Sequence, residues 1–290
     1  MKAAHSIILA CGFLLGAAVT SPAAEVWRYI PDDARWAVAI RMGEYLNSET
    51  GKRLTERFYD ENAKRWNAGL QRHFGMDPMT EIDTVILFGR DARKESGATV
   101  VWGDFDPGNA LEFISGLGGY RLHEHRSHPL HVWNDGAVAY PRPGMAVMAW
   151  QPETVKQVLD VLAGEDGHLS ADAFRAPGGE GWFLRSFAED VSSLRGMPPK
   201  AAALRYSSRL DLTLGEGEGV LSGTLRLETA DEDSAVKLMG MLEAMLFYGP
   251  LFRDPNDPLV ALAKYTSVSR SDDGTSVALS LAVPLSLLPF

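Results

Sequence analysis

Two β-rich apolar runs, Ile82 to Gly89 and Ala98 to Phe105, flank a charged stretch from Arg90 to Gly97. That stretch is too charged to be buried and ends on glycine, so the pattern predicts a hairpin. A helical period follows, with Ala110, Phe113, Ile114 and Leu117 at i, i+3, i+4 and i+7. Asp106 is the predicted N-cap, because its carboxylate can accept from the orphan amides of the first turn. Pro107 suits the first helical position, where its missing donor costs nothing. The segment therefore reads strand, turn, strand, helix.

The same pattern returns later in the chain. Leu210, Leu212 and Leu214 alternate with polar residues, Gly215 to Gly219 make a turn, and Leu221, Leu225 and Leu227 alternate again before Asp231 caps a helix. Setting Asp106 on Asp231 puts Ala110 on Ala235, Phe113 on Leu238, Ile114 on Met239 and Leu117 on Leu242. Val100 and Trp102 then fall on Leu225 and Leu227. Agreement of turn, cap and stripe at one offset predicts a duplicated module.

The remaining periodicities extend each module. Trp36 to Met42 predicts a first strand, and Leu54, Phe58, Trp66, Leu70 and Phe74, with Tyr59 and Ala63 beside them, predict one long helix over Gly51 to Phe74, stopped by Gly75 and Asp77-Pro78. Tyr120 to Trp133, a turn at Asn134-Asp135-Gly136, Ala137 to Tyr140 and Gly144 to Trp150 predict further strands. A helix opens at Gln151-Pro152-Glu153, with Val155, Val158, Leu159 and Leu162 on one face, and stops at Gly164. Residues 165–181 shift to Gly, Pro, Asp and Ala and predict a linker, with a short helical turn at Ala171 to Phe174. Beyond it come a strand near Trp182 to Phe187, a connection through Met197-Pro198-Pro199, the second hairpin and helix, and a terminal hairpin from Tyr265 to Val283. The expected fold is α+β: two similar β-α-β-β-α-β-β modules, residues 24–164 and 182–290, with largely antiparallel sheets and helices on one face.

Composition changes this picture at three points. Residues 1–23 have the form of a cleaved export signal, with Lys2 ahead of an apolar Ile7 to Val19 and small residues at Ser21-Pro22-Ala23. The expected location is thus periplasmic or secreted, with no transmembrane span once the signal is removed. The only cysteine, Cys11, lies inside that segment, in an Ile8-Leu9-Ala10-Cys11 context whose Leu9 is bulky for lipidation, so the mature chain carries neither disulfide nor thiolate chemistry. The formal net charge of -10 disfavours nucleic-acid partners and anionic lipid surfaces.

Three groups are candidates for function. His123, His125, His128 and His131 crowd one short stretch beside Glu124. On a strand His123 and His125 share a face, and a hairpin that brought in His128 or His131 would complete a Zn or Cu site. The alternative is a polar surface hairpin. Leu238 to Phe252, with Met241, Met245 and Phe247, is apolar nearly all round and reads either as a buried helix or as the lining of an apolar cleft. Trp102, Trp133, Tyr140 and Trp150 lie on predicted strands, where they form a recognition surface if a sheet face is open and core if it is covered. Asp254, Asn256 and Asp257, like Asp272 and Asp273, lack calcium-loop spacing. No phosphate loop, nucleophile elbow or dinucleotide fingerprint is present in the sequence.

Tyr29-Ile30-Pro31-Asp32-Asp33-Ala34, Ala37-Val38-Ala39-Ile40, Ser48-Glu49-Thr50-Gly51-Lys52, Gly75-Met76-Asp77-Pro78 and Ile82-Asp83-Thr84-Val85 together resemble the opening of uncharacterised exported bacterial proteins. The resemblance covers the first third of the chain and implies an exported, duplicated α+β protein without carrying over any catalytic residue. The expectation is a non-enzymatic binding protein without a cofactor, engaging an envelope protein or an apolar small molecule. The alternatives are metal binding by the histidine stretch and a hydrolase whose carboxylates meet only in the fold.

Overall fold

The structure, a computed structural model, describes residues 27–74, 76–91, 93–170, 173, 181–191, 204–248 and 258–288. The predicted export signal with Cys11, most of the predicted Ala171 to Phe174 turn, the Met197-Pro198-Pro199 connection, the end of the Leu238 to Phe252 run and the Asp254, Asn256 and Asp257 group lie outside them. The chain divides into two compact units between Ala173 and Phe174.

The first unit begins with β1 (Trp36–Arg41), followed by helices α1 (Met42–Asn47), α2 (Glu49–Phe58) and α3 (Glu61–Phe74). Then come β2 (Ile82–Gly89), β3 (Gly97–Gly103), α4 (Gly108–Ser115), β4 (Arg121–His125), β5 (His128–Trp133), β6 (Gly136–Arg142), β7 (Met145–Ala149) and α5 (Pro152–Ala163). Its sheet runs β1-β2-β3-β7-β6-β5-β4, each neighbour antiparallel. The second unit holds β8 (Trp182–Glu189), β9 (Ser207–Gly217), β10 (Val220–Thr229), α6 (Glu232–Tyr248), α7 (Pro258–Ala263), β11 (Thr266–Arg270) and β12 (Ser276–Pro284). Its sheet runs β8-β9-β10-β12-β11, also antiparallel throughout. The protein is α+β, and the two units repeat one strand order: β1-β2-β3-β7-β6 corresponds to β8-β9-β10-β12-β11, with α4 and α6 at the same point in the path. Hairpin β4–β5 is an addition at the outer edge of the first sheet.

The predicted long helix over Gly51 to Phe74 is in fact two. Asp60 accepts from the amides of Asn62 (2.8 Å) and Ala63 (2.9 Å), capping α3 and ending the helical path between Phe58 and Glu61. A short polar side chain that satisfies first-turn amides competes with helix continuation, and here it wins over apolar periodicity. Ser48 caps α2 in the same way through Gly51 N (2.9 Å). The apolar spacing survives the break, because Tyr59 and Leu70 still pack on Met42, Ile82, Val85 and Val101.

The stripes match between the units, while the caps differ by one residue: Pro107 rather than the expected Asp106 is the N-cap of α4, and Asp231 directly precedes α6. Gly108 N donates to Asp106 Oδ1 (3.0 Å) ahead of α4, and Ser234 N donates to Asp231 Oδ1 (2.7 Å) in α6. Ala110 and Ile114 of α4 pack on Val138 and Ala146, while Ala235, Leu238 and Leu242 of α6 pack on Leu227 and Val277. Where the sequence places helices on one face only, the first unit adds α5 on the other. Gly136 to Ala139 in β6 and Met145 to Val147 in β7 are buried at every position. Strand side chains point to alternate faces, so such a run requires cover on both. Val155, Val158 and Leu159 of α5 supply the second layer and are fully buried.

The run from Tyr120 to Trp133 folds back on itself at Arg126 and Ser127, both at positive φ (51° and 60°), a bend whose position the sequence does not give. A two-residue bend of this hand matches strand twist, though Asn or Gly is its usual signal. The turn at Asn134-Asp135 lies where the sequence places it, but it is made without positive φ at either residue. Asn134 N donates instead to Gly118 O (3.2 Å).

Candidate functional site

Helix α6 combines a buried stripe with an open end. Leu238 and Leu242 stand one turn apart on the sheet side, and half-buried Met239 and Met241 fill around them. Past Leu242 three large apolar side chains are exposed while Leu246 stays half-buried. Met245 is 54 % exposed, Phe247 71 % and Tyr248 54 %. The rings of Phe247 and Tyr248 meet edge to face with centroids 4.9 Å apart. Of the residues singled out in the sequence, Met241 belongs to the core while Met245 and Phe247 form a surface, joined by Tyr248. One helix therefore supplies both structures that the sequence offers as alternatives.

The histidine stretch becomes hairpin β4–β5. Directly opposed residues of a sheet share a face, so the pairs His125↔His128 and His123↔Leu130 put His123, His125 and His128 on one side. His131 opposes Val138 and stands on the other, where Nδ1 meets the Tyr120 hydroxyl at 3.0 Å. Partial burial lowers the pKa of His131, since its charged form loses hydration. His125 Nε2 lies 2.8 Å from Asp160 Oδ1 of α5, and Arg126 Nε donates to the same oxygen at 2.6 Å while its other end pairs with Glu165. Burial opposes the Asp160 charge, but the hydrogen bonds from Arg126 and His125 outweigh it and hold its pKa below the ordinary carboxylate value. The four histidines thus do not form one ligand set. Among the described residues, no group of three or more His, Cys, Asp or Glu side chains is placed to hold a metal ion. What the stretch does instead is bolt the tip of an edge hairpin to α5.

The strand aromatics are divided in the same way. Trp133 and Tyr140 pack with the Ala110 and Ile114 side of α4, and burial pushes the Tyr140 hydroxyl up to about 12. Trp102 stands on the α5 side, its ring 4.3 Å from that of Tyr29. Trp150 is half-buried where β7 leads into α5. They do not compose a single open recognition face.

One constellation was missed by reading the sequence. On β9, Arg209, Asp211 and Thr213 are buried more deeply than the leucines between them. Arg209 meets Asp211 through two bonds, Nε to Oδ2 at 2.8 Å and an Nη2 bond to Oδ1 at 2.9 Å, and reaches Glu189 on β8 at 2.9 Å. Its guanidinium lies 4.8 Å from the centre of the Phe187 ring. Polar residues alternating with leucine ordinarily mark a solvated face. The available signal is an arginine and an aspartate two apart on a strand, which share a side and can neutralise each other.

Neither a family model nor a curated protein matches the chain. The chain is similar to the solved structure of TP0453 in crystal form III, at 10% identity and a TM-score of 0.54, with 91% of this chain and 95% of that one covered. Crystal form IV of TP0453 aligns at 9% identity and a TM-score of 0.49, over 91% of this chain and 94% of that one. The form III likeness shows the fold, an α+β arrangement along nearly the whole length. Among the described residues no helix is long and apolar enough to cross a membrane.

Proposed function

We propose that this chain is an exported, periplasmic or secreted, non-enzymatic binding protein, and that it engages a protein partner or an apolar ligand of the envelope through the open end of α6. The observation that carries the reading is the exposure of Met245, Phe247 and Tyr248 in the last turn of a helix whose earlier turns are anchored in the core. Large apolar side chains grouped in water are costly to solubility unless something covers them in use. Anchoring by Leu238 and Leu242 fixes the group before binding, which reduces the ordering cost of association. The export part of the reading is supported by residues 1–23.

The test is a naphthalene-sulfonate dye titrated into the folded protein, followed by the same titration on Phe247→Asp. Fluorescence should rise on the native chain and fall several-fold in the variant. Because the residue is 71 % exposed, the variant's stability should stay within about 0.5 kcal/mol of the parent. A native protein that leaves the dye dark overturns the reading, as does a variant that binds it equally well.

A further inference from the structure

Among the described residues strand β4 ends the first sheet, with β5 on one side and no strand on the other. Its pairing with β5 is regular from Arg121↔Val132 to His125↔His128, without a bulge. The two-residue bend at Arg126-Ser127 makes His125↔His128 a hydrogen-bonded pair. Alternation then makes His123↔Leu130 and Arg121↔Val132 hydrogen-bonded as well, and turns the N–H and C=O of Leu122 and Glu124 outward. Pro129 fits this register. It opposes Glu124 in a pair that exchanges no hydrogen bonds, and pairing of β5 with β6 begins only at Leu130, so its missing N–H is not needed.

We infer that the outer edge of β4 is a second binding surface, one that accepts an extended acidic segment of a partner protein as an added antiparallel strand. Backbone groups in a row select an extended chain, and the side chains select its chemistry. Arg121 and His123 are exposed on one side of β4 and form a basic row on a chain of net charge -10. On the other side Leu122, 60 % exposed, offers an apolar contact beside Glu124. A segment carrying carboxylates at alternate positions, with an aliphatic residue between them, complements both rows. A second copy of this chain does not. Antiparallel pairing of β4 with itself about His123 sets Arg121 against His125 and His123 against its own image. The edge is also held ready, since the tie from His125 and Arg126 to Asp160 fixes the hairpin tip on α5.

The probe is a synthetic capped peptide, Asp-Val-Asp-Val-Asp, added in millimolar excess to the full chain while backbone amide exchange is followed by NMR. Exchange at Leu122 and Glu124 should be fast in the free protein and slow by roughly tenfold or more with peptide, while His123, already paired with β5, changes little. The same peptide N-methylated at its inward-facing amides should give no slowing, because it cannot donate to the edge. Arg121→Glu should weaken the acidic peptide roughly tenfold and favour its lysine counterpart. Phe247→Asp should leave the peptide response intact, which separates this surface from α6. Unchanged exchange at Leu122 and Glu124 overturns the inference. So does an equal effect of the methylated peptide, or slow exchange before peptide is added that disappears on dilution, which would mean that a second copy occupies the edge.

Discussion

At Asp211, 0 % exposed, both carboxylate oxygens accept from the Arg209 guanidinium. Such a pair is costly to break from one side, since the group left behind loses two charge-assisted hydrogen bonds at a site that water does not reach. Arg209→Met should therefore lower stability by about 3 kcal/mol, read as a fall in urea midpoint at unchanged slope. Adding Asp211→Leu to it should recover part of that loss, because the group left behind goes too. Asp273 is a milder case at the surface. The Ser271 hydroxyl, then the Thr275 amide and hydroxyl, hold its carboxyl down to about 2 from an ordinary 3.8. The ionised form therefore stabilises the fold above the ordinary value, and that gain is lost as pH falls through the window toward about 2. Asp273→Asn should flatten the acid limb of a stability-against-pH curve in that window while leaving the neutral region nearly unchanged. Neither environment could be read from sequence. Asp273 was legible as a turn residue but not as a strongly bonded one, and Arg209 and Asp211 read as the wet side of an amphipathic strand.

Among the elements, the boundaries set by side chains that bond their own backbone decide most of the differences. Asp60 ends one helix and starts another within a continuous apolar period. Asp60→Ala should lower the melting temperature slightly and speed amide exchange in the first turn of α3, with α2 unaffected. Periodicity registers which face is buried and is indifferent to such interruptions, which is why Tyr59 and Leu70 were correctly placed on a core-facing side of a helix drawn too long. The position of the Arg126-Ser127 bend was hidden for a related reason. Its residues are not turn formers, and the conformation is held by tertiary bonds from Arg126 to Asp160 and Glu165. In α6 the difficulty was composition, since Met and Leu on all sides conceal which stripe is buried. Only the packing of Leu238 and Leu242 on Leu227 and Val277 separates the core side from the open end.

Across the molecule, what was legible was the repeat. Asp106 and Asp231, with Ala110 and Ala235 behind them, fall at equivalent points of two sheets with one strand order, and both alanines are buried against their own sheet. Each unit has apolar clusters of its own, around Val138 and Ala146 in the first and Leu227 and Val277 in the second. Leu238→Ala, expected to cost roughly 2–5 kcal/mol, should consequently speed amide exchange in β9, β10 and β12 by a larger factor than in β2, β3 and β7. Equal acceleration in both would show that one cooperative unit spans the chain. The candidate site was less legible than the fold, because strand alternation does not say which of two faces a helix will cover, and here α4 and α5 cover both.

Hairpin β4–β5 hangs from the margin of a five-strand row that is already complete without it, as the second unit shows. Length can therefore change at that margin without any other strand exchanging neighbours. An engineer wishing to track this molecule would splice a reporter there, beyond the ribbon's free border, and leave the shared scaffold of both halves as it stands.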